Sequence, residues 1–293
     1  MEIMRLDPQC AACLKDKYLN KVPQTATAEE RLAYQDEVLR LIAEAPPAVS
    51  APELIADITA LQRAMFGWSE DFTTIKRHFN AKMSSLAGEI RDAITAATDP
   101  LYLAISYAML GNYIDFGAMD SVSEEKLQSL LAQAESLRLN ATEYNQLKAE
   151  LGSAKRLVYL TDNCGEIVMD RLLVEQLLRQ FPGLSVTVIV RGKPVLNDAT
   201  MEDASQIGLD QMVPVIGNGT GVAGTSLRLI SKPARQAIDA ADVVIAKGLG
   251  NFETLRHCGK NIYYLFLCKC QMFADRFSVP RYTGILCNDH RCV

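Results

Sequence analysis

Beyond Gly152 the chain alternates short, continuously apolar runs with segments of helical period, and this alternation restricts the fold more than any other feature. Residues 156–160, 184–190, 212–216, 243–246 and 262–267 are β-prone, and helical patterns fall at 166–180, 199–207 and 225–240. A strand that is apolar at every position, rather than at every second one, is buried on both faces. Helices intervening between such strands make the sheet parallel. The spacing predicts a Rossmann-like α/β region over residues 152–293.

Residues 1–151 contain no β-rich run. Residues 29–44 place Leu32, Val38, Leu39 and Ile42 near helical spacing before Pro46 and Pro47 stop the pattern. Ser50, with Pro52 and Glu53 following, has the form of a capping box. Further helical patterns cover 72–97, 100–113 and 123–137, so a helical N-terminal region is expected.

With 49% hydrophobic and 22% charged residues, the chain can bury a substantial core. The net charge of -5 argues against a broad footprint for nucleic acid or an anionic membrane surface. The most apolar stretch, residues 101–110, is about half as long as a bilayer-spanning helix. Charges are scattered through the first residues, where a secretory signal would need an unbroken apolar segment. A cytoplasmic protein is expected, its eight cysteines reduced, metal-bound or redox-active rather than forming a disulfide framework.

Ligands of open α/β sheets bind beyond the carboxyl ends of the strands, where loops and helix starts converge. There the sequence offers Asp162, Asn163, Gly165 and Glu166 after the first run, and Arg191, Lys193, Asn197 and Asp198 after the second. A glycine-rich segment from Gly217 to Gly224 follows the third, and Lys247, Gly248 and Asn251 follow the fourth. Asp162 and Asp198, with the amide oxygen of Asn163, form an all-oxygen set suited to Mg²⁺ or Mn²⁺. Lys247 is a candidate phosphate ligand. Singly, each residue is as readily a helix cap or a solvated loop residue; their joint placement favours a site.

Four strings occur in order. They are Asp162-Asn-Cys-Gly-Glu166 with Asp170, Lys193-Pro-Val-Leu-Asn-Asp-Ala-Thr200, Lys247-Gly-Leu-Gly-Asn-Phe-Glu253, and, earlier in the chain, Gly111-Asn-Tyr-Ile-Asp-Phe-Gly117. Together they resemble the DUF89 family of metal-dependent damage-control phosphatases, in its prokaryotic cysteine-containing branch, from Cys10-x-x-Cys13 to Lys269-Cys270. The resemblance implies a helical region packed on an α/β/α sandwich with a mostly parallel sheet. It also implies hydrolysis of phosphate monoesters of small metabolites, such as sugar phosphates, with Mn²⁺, Mg²⁺, Co²⁺ or Ni²⁺. Asp162, Asn163 and Asp198 match the family's metal ligands, Lys247 its phosphate-binding lysine, and Asn112 and Asp115 a motif of the helical region that faces the site. Gly165 and Asn251 are placed with the substrate-binding groups. Cys164 stands where Ala or Ser is more usual.

Metal and Lys247 together would neutralise the phosphoryl charge, and metal-activated water is the favoured nucleophile, since the Asp-x-Asp signature of an aspartyl-phosphate enzyme is absent. Glu166 is a candidate base or supporting residue, and Asp170 a structural one. With no partner cation assigned to them, Asp162 and Asp198 are expected to contribute little to stability.

Three competing readings bear on the same residues. Gly219-x-Gly221-x-x-Gly224 has dinucleotide-loop spacing, but its acidic partner would be Asp239 or Asp242, at the wrong end of the sheet; a turn that holds an anionic substrate group, with Thr225 opening a helix, is preferred. Cys10, Cys13, Cys268, Cys270, Cys287, His290 and Cys292 could assemble a zinc site. A non-catalytic metabolite or nucleotide sensor would use the same pocket without turnover.

Overall fold

Cap chemistry decides where most helices begin in the computed structural model, which describes residues 6–116 and 122–292. Thr27 and Ser50 each close a reciprocal capping box with the glutamate three residues on, opening α2 (Ala28–Ala43) and α3 (Ala51–Phe66). Prolines occupy the first turns of α1 (Pro8–Tyr18), α3 and α5 (Pro100–Gly111), where a missing N–H costs nothing. With α4 (Thr73–Ala96), α6 (Glu124–Leu131) and α7 (Ala141–Ser153), these helices precede the first strand.

The remainder alternates as expected: β1 (Arg156–Leu160), α8 (Glu166–Gln180), β2 (Ser185–Val190), α9 (Met201–Gln206), β3 (Val215–Gly217), α10 (Lys232–Ala240) and β4 (Val243–Lys247). It continues with α11 (Gly248–Leu255), β5 (Ile262–Leu267), α12 (Gln271–Phe277) and β6 (Gly284–Asn288). The sheet order is β3-β2-β1-β4-β5-β6, parallel except for β6, which pairs antiparallel with β5. The order reverses between β1 and β4, so the crevice in which open α/β sheets hold ligands lies between the ends of those two strands.

Alternate residues of each central strand enter different cores. Leu157, Tyr159, Val188 and Ile245 pack with α4, α5, α7 and α8 on one face, whereas Val158, Leu160, Ile189 and Val244 pack with α10, α11 and α12 on the other. The result is an α/β/α sandwich in which N-terminal helices supply much of one layer. Helices α1 to α3 have their own core around Tyr18, Tyr34, Val38 and Ile58.

Two sequence expectations are corrected here. The helix expected over 225–240 begins only at Lys232, because Ser231 caps it and Pro233 lies in its first turn; residues 225–231 form turns. Strand β6 was not anticipated, its run being only five residues long and opening on Gly284 shortly after Pro280. Among the described residues, no helix is long and apolar enough to cross a membrane.

Candidate active site

The backbone places the two aspartates together before any side chain is considered. The loop after β1 and the loop before α9 cross-pair: Asn163 forms an isolated antiparallel bridge with Asp198, Ala199 N donates to Asp162 O at 2.7 Å, and Cys164 N donates to Asn197 O at 2.8 Å. Two segments that follow neighbouring strands are thus sewn together beyond the carboxyl edge. Gly248 completes the cradle: its φ is 79°, and a Cβ at that position would collide with the Asp162 carboxylate. The start of α11 can therefore lie directly against Asp162 only because residue 248 has no side chain.

Asp162 and Asp198 are 6% and 3% exposed, and Arg191 lies between them. Arg191 Nε donates to Asp198 Oδ2 at 2.6 Å and Nη2 to Asp162 Oδ1 at 3.2 Å, while Nη1 reaches Asn251 Oδ1 at 3.2 Å. Asp162 Oδ2 accepts from Asn163 Nδ2 at 2.7 Å and from Asn112 Nδ2 at 3.1 Å. Burial, then the Asp198 and Glu166 carboxylates, push Asp162 well above the usual carboxylate range, and Arg191 opposes them. Burial lifts Asp198 to about 6, again against Arg191. Arg191 offsets only part of what burial does to the two carboxylates.

The same carboxylates line a cavity of about 400 Å³. Asp162, Asn163, Asp198, Asp115, Lys269 and Arg281 form its polar end, and α1, the start of α3, and α12 supply an apolar wall that includes Leu14, Ile55, Met272 and Phe273. Lys269 Nζ lies 2.5 Å from Asp115 Oδ2 and donates to Asn112 O at 2.5 Å. Two of the three ammonium donors are thus engaged, and Lys269 is one of the residues that line the cavity. Neither Lys269 nor Arg281 was singled out from sequence as a ligand; the signal available was the Lys269-Cys270 pair just beyond β5.

The donor set fits a hard divalent cation. Two carboxylates and an amide converge on the cavity, and neither Asp198 Oδ1 nor Asn163 Oδ1 accepts a hydrogen bond among the described residues. Oxygen-only ligation of this kind suits Mg²⁺ or Mn²⁺, and a cation there would favour the ionised form that burial disfavours at both aspartates.

Other sequence-nominated residues lie behind the cavity wall. The Lys247 amino group is fully buried, with all three donors engaged by Glu166 Oε1 at 2.7 Å, Asp170 Oδ1 at 2.6 Å and Ala108 O at 2.8 Å. It is therefore not presented to a substrate phosphate. Glu166, also fully buried, accepts from Asn163, Asn112 and Lys247, which leaves it no line to a substrate as a base. Asn112 bonds Asp162 and Glu166 through Nδ2 and accepts from Leu267 N through Oδ1, so it supports the site without facing the cavity. Asn251 bridges Arg191, Thr225 and the carbonyls of Thr161 and Lys247. Gly165, at φ 68°, serves the turn into α8, donating its N–H to Asn80 Oδ1. Gly117, the end of the helical-region motif, lies outside the described residues.

The glycine-rich turn does not form an anion cradle: Thr225 opens no helix, its N–H donates to Thr254 Oγ1, and its hydroxyl donates to Asn251. The cysteine expectations change as well. Cys287 and Cys292 form a disulfide, so neither is available to a zinc ion. Among the described residues, no group of three or more His, Cys, Asp or Glu side chains is arranged to hold a metal; the oxygen site rests on two carboxylates and an amide. Cys164 is buried beside Asn197, off the cavity, and burial pushes its thiol up to about 12.

Comparison with known proteins agrees with this architecture. Residues 6–285 match the model of the damage-control phosphatase ARMT1-like domain. A damage-control phosphatase of Archaeoglobus fulgidus is 31% identical over 287 residues, covering 94% of this chain and 96% of the relative. One from Pyrococcus horikoshii is 28% identical over 284 residues, covering 95% and 96%. The crystal structure of a DUF89 family protein from Pyrococcus horikoshii superposes with a TM-score of 0.77 at 26% identity, covering 98% of this chain and 99% of that one.

Proposed function

The chain belongs to the ARMT1-like (DUF89) damage-control phosphatase family, and from that premise we propose that it is a metal-dependent phosphatase that hydrolyses phosphate monoesters of small metabolites such as sugar phosphates. The observation that carries the proposal is the convergence of Asp162, Asn163 and Asp198, with Asp198 Oδ1 and Asn163 Oδ1 accepting no hydrogen bond among the described residues, on a cavity whose polar end also holds Lys269 and Arg281.

Asp162, Asn163 and Asp198 hold the metal. A divalent cation bound there supplies charge neutralisation at the phosphoryl oxygens and lowers the pKa of water. Lys269 directs its remaining N–H at the phosphoryl group, and Arg281, anchored through Nε to Lys269 O at 2.8 Å, adds positive charge at the same end. Asp115 holds Lys269 in place. The apolar wall from α1, α3 and α12 excludes water from the leaving group and limits the substrate to a small metabolite.

Water is the favoured nucleophile. Both Asp162 oxygens are already engaged, Oδ1 by Arg191 and Oδ2 by Asn112 and Asn163, an arrangement suited to a fixed ligand and unsuited to a carboxylate that must swing to attack phosphorus.

The competing reading, a sensor that binds phosphorylated metabolites without turnover, uses the same pocket. ³¹P NMR of a sugar phosphate mixed with Mg²⁺-loaded protein separates the two. Growth of the inorganic phosphate signal supports the phosphatase; a perturbed but intact ester signal would favour the sensor.

A further inference from the structure

Lys247 closes a buried polar chain that leads to the candidate metal ligands. From Lys247 Nζ the chain runs 2.7 Å to Glu166 Oε1, and the Glu166 carboxylate accepts from Asn112 Nδ2 at 2.9 Å, from Asn163 N at 3.2 Å and from Asn163 Nδ2 at 3.0 Å. The same two amide groups donate to Asp162 Oδ2. Each Nδ2 thus bridges Glu166 and Asp162, and the orientation of both amides is set by having a carboxylate on either side.

That orientation has a chemical consequence at Asn163. With Nδ2 turned toward Glu166 and Asp162, Oδ1 is the atom left for the cavity. A flipped amide would present N–H₂ to the cation site, where it can neither coordinate nor avoid repulsion. Glu166, together with Asp162, is thus the reason that Asn163 offers an oxygen. Glu166 is itself fully buried, as is Asp170, and both take their positive counter-charge from Lys247, also anchored to Ala108 O on α5. Removing one partner of a buried pair leaves an uncompensated charge, so the carboxylate would move or recruit a proton.

We propose that Lys247 is a positioning residue for metal binding: it holds Glu166 where that carboxylate fixes the Asn163 and Asn112 amides against Asp162, and it does not touch substrate. The proposal rests on the metal reading above and reverses the phosphate-binding role that the family motif implies for this lysine. Asn112 extends the coupling to the substrate end, because its carbonyl accepts from Lys269 and its Oδ1 from Leu267 N.

The test is calorimetric titration of Mn²⁺ into metal-stripped full-length protein, for wild type, K247M, E166Q and the K247M/E166Q double variant, with inorganic phosphate as a separate probe at saturating Mn²⁺. Circular dichroism checks that each is folded. E166Q keeps the Lys247–Asp170 pair and so remains informative where K247M folds poorly. Expected are at least tenfold weaker Mn²⁺ binding in K247M and in E166Q, losses in the double variant well short of the product of the two, and phosphate affinity within about twofold of wild type once Mn²⁺ saturates.

Wild-type Mn²⁺ affinity in folded K247M or E166Q overturns the proposal. So does multiplicative loss in the double variant, or a tenfold loss of phosphate binding in K247M at saturating metal, which would restore the direct phosphate contact. Failure of wild-type protein to bind any divalent cation would instead overturn the metal reading on which the proposal stands.

Discussion

Arg191 Nε lies 2.6 Å from Asp198 Oδ2, and the same guanidinium reaches Asp162, so the two candidate metal carboxylates share one buried cation of the protein's own. This relationship changes what their removal should do. The sequence suggested exposed carboxylates with little effect on stability; the structure shows them buried and paired.

Asp198→Ala is expected to abolish metal-dependent turnover and also to destabilise the fold by about 3 kcal/mol, because it strips Arg191 of its shortest partner in a buried place. Asp162→Ala should abolish turnover at lower cost, since the Arg191–Asp198 pair survives and a like charge is removed. Urea unfolding of both variants checks the order. Equal stability of Asp198→Ala and wild type would contradict the pairing.

Lys269→Met is expected to lower kcat/KM for phosphate monoesters at least tenfold, mainly through KM, while leaving Mn²⁺ affinity near wild type. Steady-state kinetics with a generic aryl phosphate measure this. An unchanged kcat/KM would remove Lys269 from the substrate site.

Gly248→Ala should be inactive despite being a single-methyl change. The new Cβ would meet the Asp162 carboxylate, and the residue would have to keep φ 79°, where L side chains are strained. Loss of Mn²⁺ binding in a soluble protein is the expected result; a fully active Gly248→Ala would show that α11 does not press on the site as described.

Glu253 lines the cavity from α11 with no hydrogen bond among the described residues. Burial lifts it from 4.5 to about 7, with Arg256 and Arg276 pulling the other way. Between these two values the folded state retains a proton that the unfolded chain has lost, so this group's contribution to stability falls as pH rises through that window. Relative to Glu253→Gln, wild type should therefore lose melting temperature between pH 4.5 and about 7, with the difference levelling off above it. Parallel melting curves for the two proteins across that range would show that Glu253 titrates normally.

The sheet was legible in the sequence because continuously apolar strands leave no polar position to misread, and the carboxyl-edge rule then placed Asp162, Asn163 and Asp198 correctly on one edge. What sequence could not supply was side-chain direction. Lys247 ends β4, and from there its side chain passes behind α8 to Glu166 and Asp170, a path fixed by packing against α5 and by no local signal. Lys269, two residues beyond β5, entered the sequence reading only as the end of the family resemblance; the fold brings it beside Asp115 from the helical region. Arg191 was visible in the loop after β2, but its role depends on a cross-pairing of loops that no periodicity encodes. The cysteine pattern misled for a related reason: short spacings said nothing about which thiols the C-terminal turn would bring together.

The central claim is that Asp162, Asn163 and Asp198 bind a divalent metal that drives phosphate release in the cavity they line. Its most direct test is release of inorganic phosphate from a panel of sugar phosphates and an aryl phosphate by EDTA-stripped protein, with Mg²⁺, Mn²⁺, Co²⁺, Ni²⁺ or Zn²⁺ restored in turn, beside Asp162→Ala. Turnover that returns with metal in wild type and stays absent in folded Asp162→Ala is the expected result. Turnover without added metal, equal turnover in Asp162→Ala, or none with any metal in folded wild-type protein would contradict it.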